Sequence, residues 1–195
     1  MCARYELSAS PRMIMERFAL AAAPPVPNKE EMRPTDQALV VDRHGADLLR
    51  WGLEAKWDGR PLINARAETL SEKATFRPLL ENRCLVPMTA YFEWRQADGR
   101  KLKNRISVNK GDLAAFAGLT DGRAFTIVTC APAPAIAHVH DRMPVILDPD
   151  GARAWADPTR RFAQVAPLLV PYVGGLTAAE DAPPAPAQGS LFAQS

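Results

Sequence analysis

Seven apolar runs of four to six residues, broken at short intervals by turn-forming pairs, restrict this chain of 195 residues to a fold built mainly from strands. The runs are residues 38–41, 48–53, 83–88, 90–94, 105–108, 125–130 and 143–147. They are rich in branched and aromatic side chains and too short for helices that could bury a face of their own. Asp98-Gly99 and Asp121-Gly122 are hairpin signals, and Asp150-Gly151 marks a further turn or the start of a helix. Helical expectations are few. Ser10-Pro11 forms an N-cap and first turn ahead of Ile14, Phe18 and Leu20, and residues 76–82, 133–139 and 153–156 are the other candidates. The expected class is α+β around antiparallel strands, with no internal repeat and no glycine-rich phosphate loop. With 47% hydrophobic residues the chain can bury one core, expected over residues 1–176.

From Thr177 to Ser195 the composition turns to Ala, Pro, Gln, Gly and Ser, which predicts a disordered tail. Within it, Gln188, Leu191 and Phe192 resemble the Gln-x-x-Leu-Phe peptide by which bacterial replication and repair proteins dock on the sliding clamp. Charge is uneven. Residues 60–110 carry eleven basic and five acidic groups, +6 within a chain of net +2, and such a segment attracts phosphates if it forms one face. A merely solvated surface is the competing reading. The cysteines Cys2, Cys84 and Cys130 are odd in number and far apart, which fits reduced thiols in a cytoplasmic protein. No zinc pattern appears, since His138-x-His140 lacks an evident third ligand, and no cofactor is expected. No apolar run is long enough for a membrane span.

Cys2, directly after Met1, is the residue with the most chemistry. Aminopeptidase removal of Met1 would leave a free α-amine and a thiol on adjacent carbons. These titrate near about 7.7–8.0 and ~8.5 in unperturbed form, so useful fractions of both would be reactive at neutral pH. An aldehyde meeting the pair forms an imine, which the sulfur closes to a thiazolidine. Three further contexts hold polar residues: Asn64-Ala65-Arg66-Ala67-Glu68-Thr69, Tyr91-Phe92-Glu93-Trp94 and His140-Asp141-Arg142-Met143-Pro144. Glu93 stands among aromatics, where desolvation would raise its pKa and suit it to acid–base work. Singly, Asn64 reads as a turn former, Glu93 as an ion-paired strand residue and His140 as a loop histidine.

Together with Met1-Cys2-Ala3-Arg4, Trp51-Gly52-Leu53, Arg83-Cys84-Leu85-Val86-Pro87 and Ala117-Gly118-Leu119, these motifs resemble the SRAP family in order over residues 2 to about 175. Ala3 stands where the family pattern has glycine, and Ala90 opens the segment that ends in Glu93-Trp94. The resemblance implies an antiparallel sheet partly closed as a barrel with peripheral short helices. It implies Cys2, Asn64, Glu93 and His140 as the catalytic group, acting on the ring-opened aldehyde of an abasic site in single-stranded DNA as part of the DNA damage response. It also implies Arg4, Arg66 and Arg77 as phosphate contacts, Trp94 and Trp51 as DNA-facing aromatics, and a monomeric, nucleoid-associated protein of bacterial type. Two other readings stay open: a peptidase with Cys2 as N-terminal nucleophile, and a single-strand-binding module without chemistry.

Overall fold

The computed structural model describes residues 2–22, 26, 27, 29, 31–55 and 59–181. In chain order these form β1 (Tyr5–Glu6), α1 (Pro11–Phe18), β2 (Gln37–Asp42), β3 (Gly45–Trp51), β4 (Leu53–Glu54), β5 (Pro61–Leu62), β6 (Asn64–Arg66), β7 (Arg83–Met88), β8 (Ala90–Ala97), β9 (Arg100–Val108), β10 (Ala114–Thr120), β11 (Ala124–Cys130), β12 (Met143–Pro144), β13 (Ile146–Leu147), α2 (Pro149–Ala156), α3 (Phe162–Val165) and β14 (Leu176–Glu180). Five strands close on themselves in the circuit β3, β2, β7, β10, β11 and back to β3, antiparallel except for the β11–β3 closure. β6 and β12 add to β11 and β13 adds to β10, while β1, β8, β9 and β14 make a separate antiparallel sheet. The fold is the expected mainly antiparallel, barrel-closed α+β architecture with short peripheral helices. Among the described residues no helix is long and apolar enough to cross a membrane.

Local chemistry explains where elements begin. Ser10 Oγ accepts from the Met13 backbone N–H at 3.3 Å, Pro11 opens α1, and Ile14 is buried against Leu7 and Leu39. At the β8–β9 hairpin Asp98 and Gly99 take φ of 48° and 72°, the doubly positive pair that an Asp-Gly turn supplies. Asp150-Gly151 falls in the first turn of α2, whose cap is Asp148, accepting from the Gly151 N–H at 2.6 Å. The helices expected over 76–82 and 133–139 are instead single 3-10 turns at Arg77–Leu79 and Pro134–Ile136. Their backbone bonds run mainly to the third preceding residue, from Leu79 to Phe76 and from Val139 to Ile136, because prolines at 78 and 134 withhold N–H groups from a regular α ladder.

The folded chain also extends past the expected boundary at residue 176. β14 pairs with β9 from Leu176↔Val108 to Glu180↔Asn104, and Asp181 joins Lys103 at 2.9 Å. Residues 177–180, expected in the tail, are poor in large apolar side chains and are held by a backbone ladder, by Ala178 packed against the core and by end charges. Residues 182–195, with Gln188, Leu191 and Phe192, lie outside the described residues.

Arg83, counted above in the basic segment, serves the core. It is 6% exposed and donates to the carbonyls of Leu80, Trp155, Asp157 and Arg160 at 2.7–3.2 Å while pairing with Glu81 at 2.8 Å. Arg83→Met removes the donor from four carbonyls, that of Trp155 fully buried and the others partly so, and is expected to lower unfolding stability by about 3 kcal/mol. Urea denaturation would register this as a lower midpoint at unchanged slope.

Candidate active site

The amino-terminal segment is threaded into the molecule rather than left on its surface. Tyr5 is 1% exposed, pairs with Tyr91 on β8 and bridges to Met32, and its ring packs on Trp51 and Phe116 with centroids 5.2 and 5.7 Å away. The Phe92 N–H donates to the Arg4 carbonyl at 2.9 Å, which continues the ladder toward Cys2. Cys2 is therefore buried, 1% exposed, with its thiol donating to the Arg4 carbonyl at 3.7 Å. Burial, reinforced by the negative charge of Glu93, pushes this thiol well above the ordinary value assumed from sequence. The thiolate is disfavoured here.

Asn64 reaches the same residue from another layer. β6 lies parallel to β11, with Asn64 opposite Ile127, and Asn64 Nδ2 donates to the Cys2 carbonyl at 2.7 Å. Asn64 Oδ1 is buried without a hydrogen-bond partner. Asn64 is thus a strand residue rather than a turn former.

Glu93 sits on β8 two residues beyond Tyr91, on the same face of the strand, and is 3% exposed. Burial raises its carboxyl above the usual range, partly offset by nearby positive charge that includes His140. His140 Nε2 lies 3.7 Å from Glu93 Oε2. The structure therefore gathers the four residues expected to be catalytic: Asn64 holds Cys2, Glu93 acts electrostatically on the Cys2 thiol, and His140 faces Glu93. An open groove of about 500 Å³ reaches Glu93 and His140, bounded besides by Trp94, Gln96 and Lys101 and by residues 137–141.

The residues expected to touch DNA divide. Arg4 lies over the half-buried Trp94 ring, 5.2 Å from its centroid, beside the groove. Arg66 is exposed on β6, on the same side of the strand as Asn64. Arg77 is exposed in its 3-10 turn, outside the residues that bound the groove. Trp51 corrects the expectation. It is 0% exposed, stacks parallel to Phe125 inside the barrel and donates Nε1–H to the Ile63 carbonyl at 2.9 Å, so it cannot meet DNA. Its part is to seat the backbone just before Asn64. Gly52 beside it has φ of 118°, and a Cβ there would meet Pro61 Cβ at 2.5 Å, so only glycine lets β5 approach.

The ion pairs around the site were not foretold by the sequence. Glu31 gathers Arg4, Arg33 and Lys103 at 2.9–3.1 Å, and Lys103 lies over the Phe92 ring. Arg95 pairs with Glu180 and Arg105 with Glu6, so much of the basic segment is neutralised within the fold. The Tyr91 hydroxyl is buried without a partner on the face of β8 that carries Glu93.

Residues 1–180 match the family described as SOS response associated peptidase (SRAP). The abasic site processing protein YoqW of Bacillus subtilis (strain 168) is 34% identical over an alignment of 196 positions covering 88% of each chain. The abasic site processing protein YedK of Escherichia coli (strain K12) is 32% identical over 119 positions, 56% of this chain and 54% of that one. A solved structure of a Bacteroides thetaiotaomicron protein superposes with a TM-score of 0.80 at 24% identity, covering 92% of this chain and 91% of that one. On the match across residues 1–180 and the identity to YoqW along most of both sequences, this chain belongs to the SRAP family.

Proposed function

We propose that this protein captures abasic sites in single-stranded DNA, using Cys2 freed of Met1 to form a thiazolidine with the aldehyde of the ring-opened sugar. The observation that carries the reading is the 2.7 Å hydrogen bond from Asn64 to the Cys2 carbonyl, which fixes a buried second residue beside a carboxyl of raised pKa. The names of the curated relatives, abasic site processing proteins, support the substrate class.

The order of steps follows from the electrostatics. With the thiol held protonated by burial, the α-amine is the first nucleophile. It adds to C1′ and gives a carbinolamine. Glu93, kept protonated at higher pH than an ordinary carboxyl, supplies the proton that opens the sugar ring, takes one back from the nitrogen as the amine adds to C1′, and gives it to the departing hydroxyl as water leaves and the imine forms. The thiol next adds across the C=N bond: sulfur joins C1′, and its proton passes to the nitrogen through Glu93 or His140. One water leaves overall. Asn64 keeps the Cys2 backbone in attack geometry throughout. Arg4 and Arg66 would hold flanking phosphates, and Trp94 would stack a base without reading its edge.

The peptidase reading asks for a thiolate activated by an imidazole. Here the thiol donates to a backbone carbonyl and its pKa is raised, which favours the amine-first route.

The test is incubation of the purified protein with an oligonucleotide bearing one abasic site, followed by a denaturing gel and intact mass. The expected adduct weighs the oligonucleotide plus the protein without Met1, less one water. A tetrahydrofuran analogue, which has no aldehyde, should give no band, nor should protein that retains Met1. Absence of an adduct from protein whose mass confirms an N-terminal Cys2 would overturn the proposal.

A further inference from the structure

We propose that Glu68 and Arg142 are positioning residues, a clamp that joins the Asn64 strand to the His140 loop and sets which imidazole nitrogen faces Glu93. This rests on the reading of the site given above.

One guanidinium makes the junction. Arg142 meets Glu68 in a forked pair, Nη1 to Oε1 at 2.6 Å and Nη2 to Oε2 at 2.9 Å, and Nη2 also donates to the Thr129 carbonyl at 2.8 Å. Glu68 belongs to the 3-10 turn Ala67–Thr69 that directly follows β6, and Thr129 lies opposite Arg66 of β6 on β11. Arg142 is two residues beyond His140. The turn after Asn64, the strand behind it and the chain after His140 are thus tied to a single side chain.

The consequence for His140 is chemical. The Arg142 backbone N–H donates to His140 Nδ1 at 3.0 Å, so a neutral imidazole carries its proton on Nε2, toward Glu93. Asp141 Oδ1 also lies 2.9 Å from Nδ1 and becomes the acceptor when the ring is charged. Either state leaves Nε2–H directed at the carboxyl side of the site. Nearby, Ala137, His138 and Asp141 are exposed, while Ile136 and Val139 are buried and the His140 N–H donates to the Ile136 carbonyl at 3.4 Å; that secures the loop ahead of His140, and what holds residue 142 secures it on the other side.

A purely structural role predicts a different outcome from a positioning one. The Glu68 side chain is 51% exposed, and a pair of that exposure adds little to global stability, so Glu68→Gln should fold and melt like the parent. The clamp predicts that Glu68→Gln lowers the single-turnover rate of adduct formation at saturating abasic oligonucleotide roughly 10-fold, with the dissociation constant within about twofold. Arg142→Lys, which keeps charge but loses the fork, should act in the same direction. An unchanged saturating rate, or a loss wholly in binding as for a phosphate contact, overturns the clamp.

A second measurement separates this from failure of the Cys2 reading. The chain has three histidines, His44, His138 and His140, so ring nitrogen-15 shifts of the neutral imidazoles can be assigned. The parent should show His140 with its proton on Nε2. In Glu68→Gln it should become a mixture of tautomers, with His44 and His138 unmoved. If the parent forms no adduct at all, the capture reading falls and these shifts alone decide the clamp; an unaltered His140 spectrum in Glu68→Gln would overturn it.

Discussion

With Cys2→Ala, the adduct that survives denaturation is expected to vanish, and one that depends on added borohydride to appear in its place. Alanine at the second position still permits Met1 removal, leaves the α-amine in place, and keeps the backbone carbonyl that accepts from Asn64 Nδ2. The imine can therefore form. What is lost is the sulfur that closes it, so the product stays open to hydrolysis unless reduced. At least about 100-fold less adduct is expected after heating without reductant, the scale on which loss of a covalent catalytic group is felt. Because the site is formed before substrate arrives, binding of the oligonucleotide should change far less than capture. A stable adduct in Cys2→Ala without reductant would show that some other nucleophile does the work. A variant that gives no reducible imine, though its intact mass confirms removal of Met1, would sink the amine-first order.

How far the sequence foretells this arrangement depends on what kind of signal each element carries. β7 coincides with the apolar run at 83–88, and β2, β8, β9 and β11 lie on theirs, because branched and aromatic side chains at strand length state their preference locally. β10 was legible only as the motif Ala117-Gly118-Leu119. Four of its seven residues, Ala114, Ala115, Ala117 and Gly118, are small, and it runs between β7 and β11, where a Cβ at Gly118 would meet Cys84 Sγ at 2.8 Å and the Thr126 carbonyl at 3.1 Å. Small residues are poor strand formers in isolation, so tertiary packing decides there. β6 is hidden for a related reason: three residues beginning with Asn and ending with Arg become a strand because β11 offers them a parallel ladder. The four candidate catalytic residues were legible as types in motifs. Their convergence was not, because Cys2 reaches the site from the segment before β1, Asn64 from β6, Glu93 from β8 and His140 from a loop. The tryptophans show the limit most clearly: Trp51 and Trp94 are indistinguishable by composition, yet one fills the barrel and the other lies under Arg4.

Glu93→Gln is expected to separate stability from function with opposite signs. The folded-state pKa of Glu93 is raised, chiefly by burial, so its favourable contribution to folding is full below the ordinary carboxylate range and is lost as pH rises through the folded value. At neutral and mildly alkaline pH the parent is therefore destabilised relative to an unfolded chain in which this carboxyl ionises freely, and the isosteric neutral amide is not. Thermal melting at pH 8 should place Glu93→Gln at or above the parent, with the difference shrinking as pH is lowered toward 4. Adduct formation should move the other way. The amide has no proton to give for ring opening or for loss of water, and a positioned acid–base group is worth about 100-fold or more. The pH profile carries the stronger discrimination. In the parent the rate at saturating DNA needs a free amine and a protonated carboxyl, which gives a bell. In Glu93→Gln the limb that belongs to the carboxyl is lost, so the bell becomes a curve rising with pH at a much lower plateau. A variant with the parent's rate and the parent's bell would remove Glu93 from the chemistry and leave it as a buried residue of the sheet.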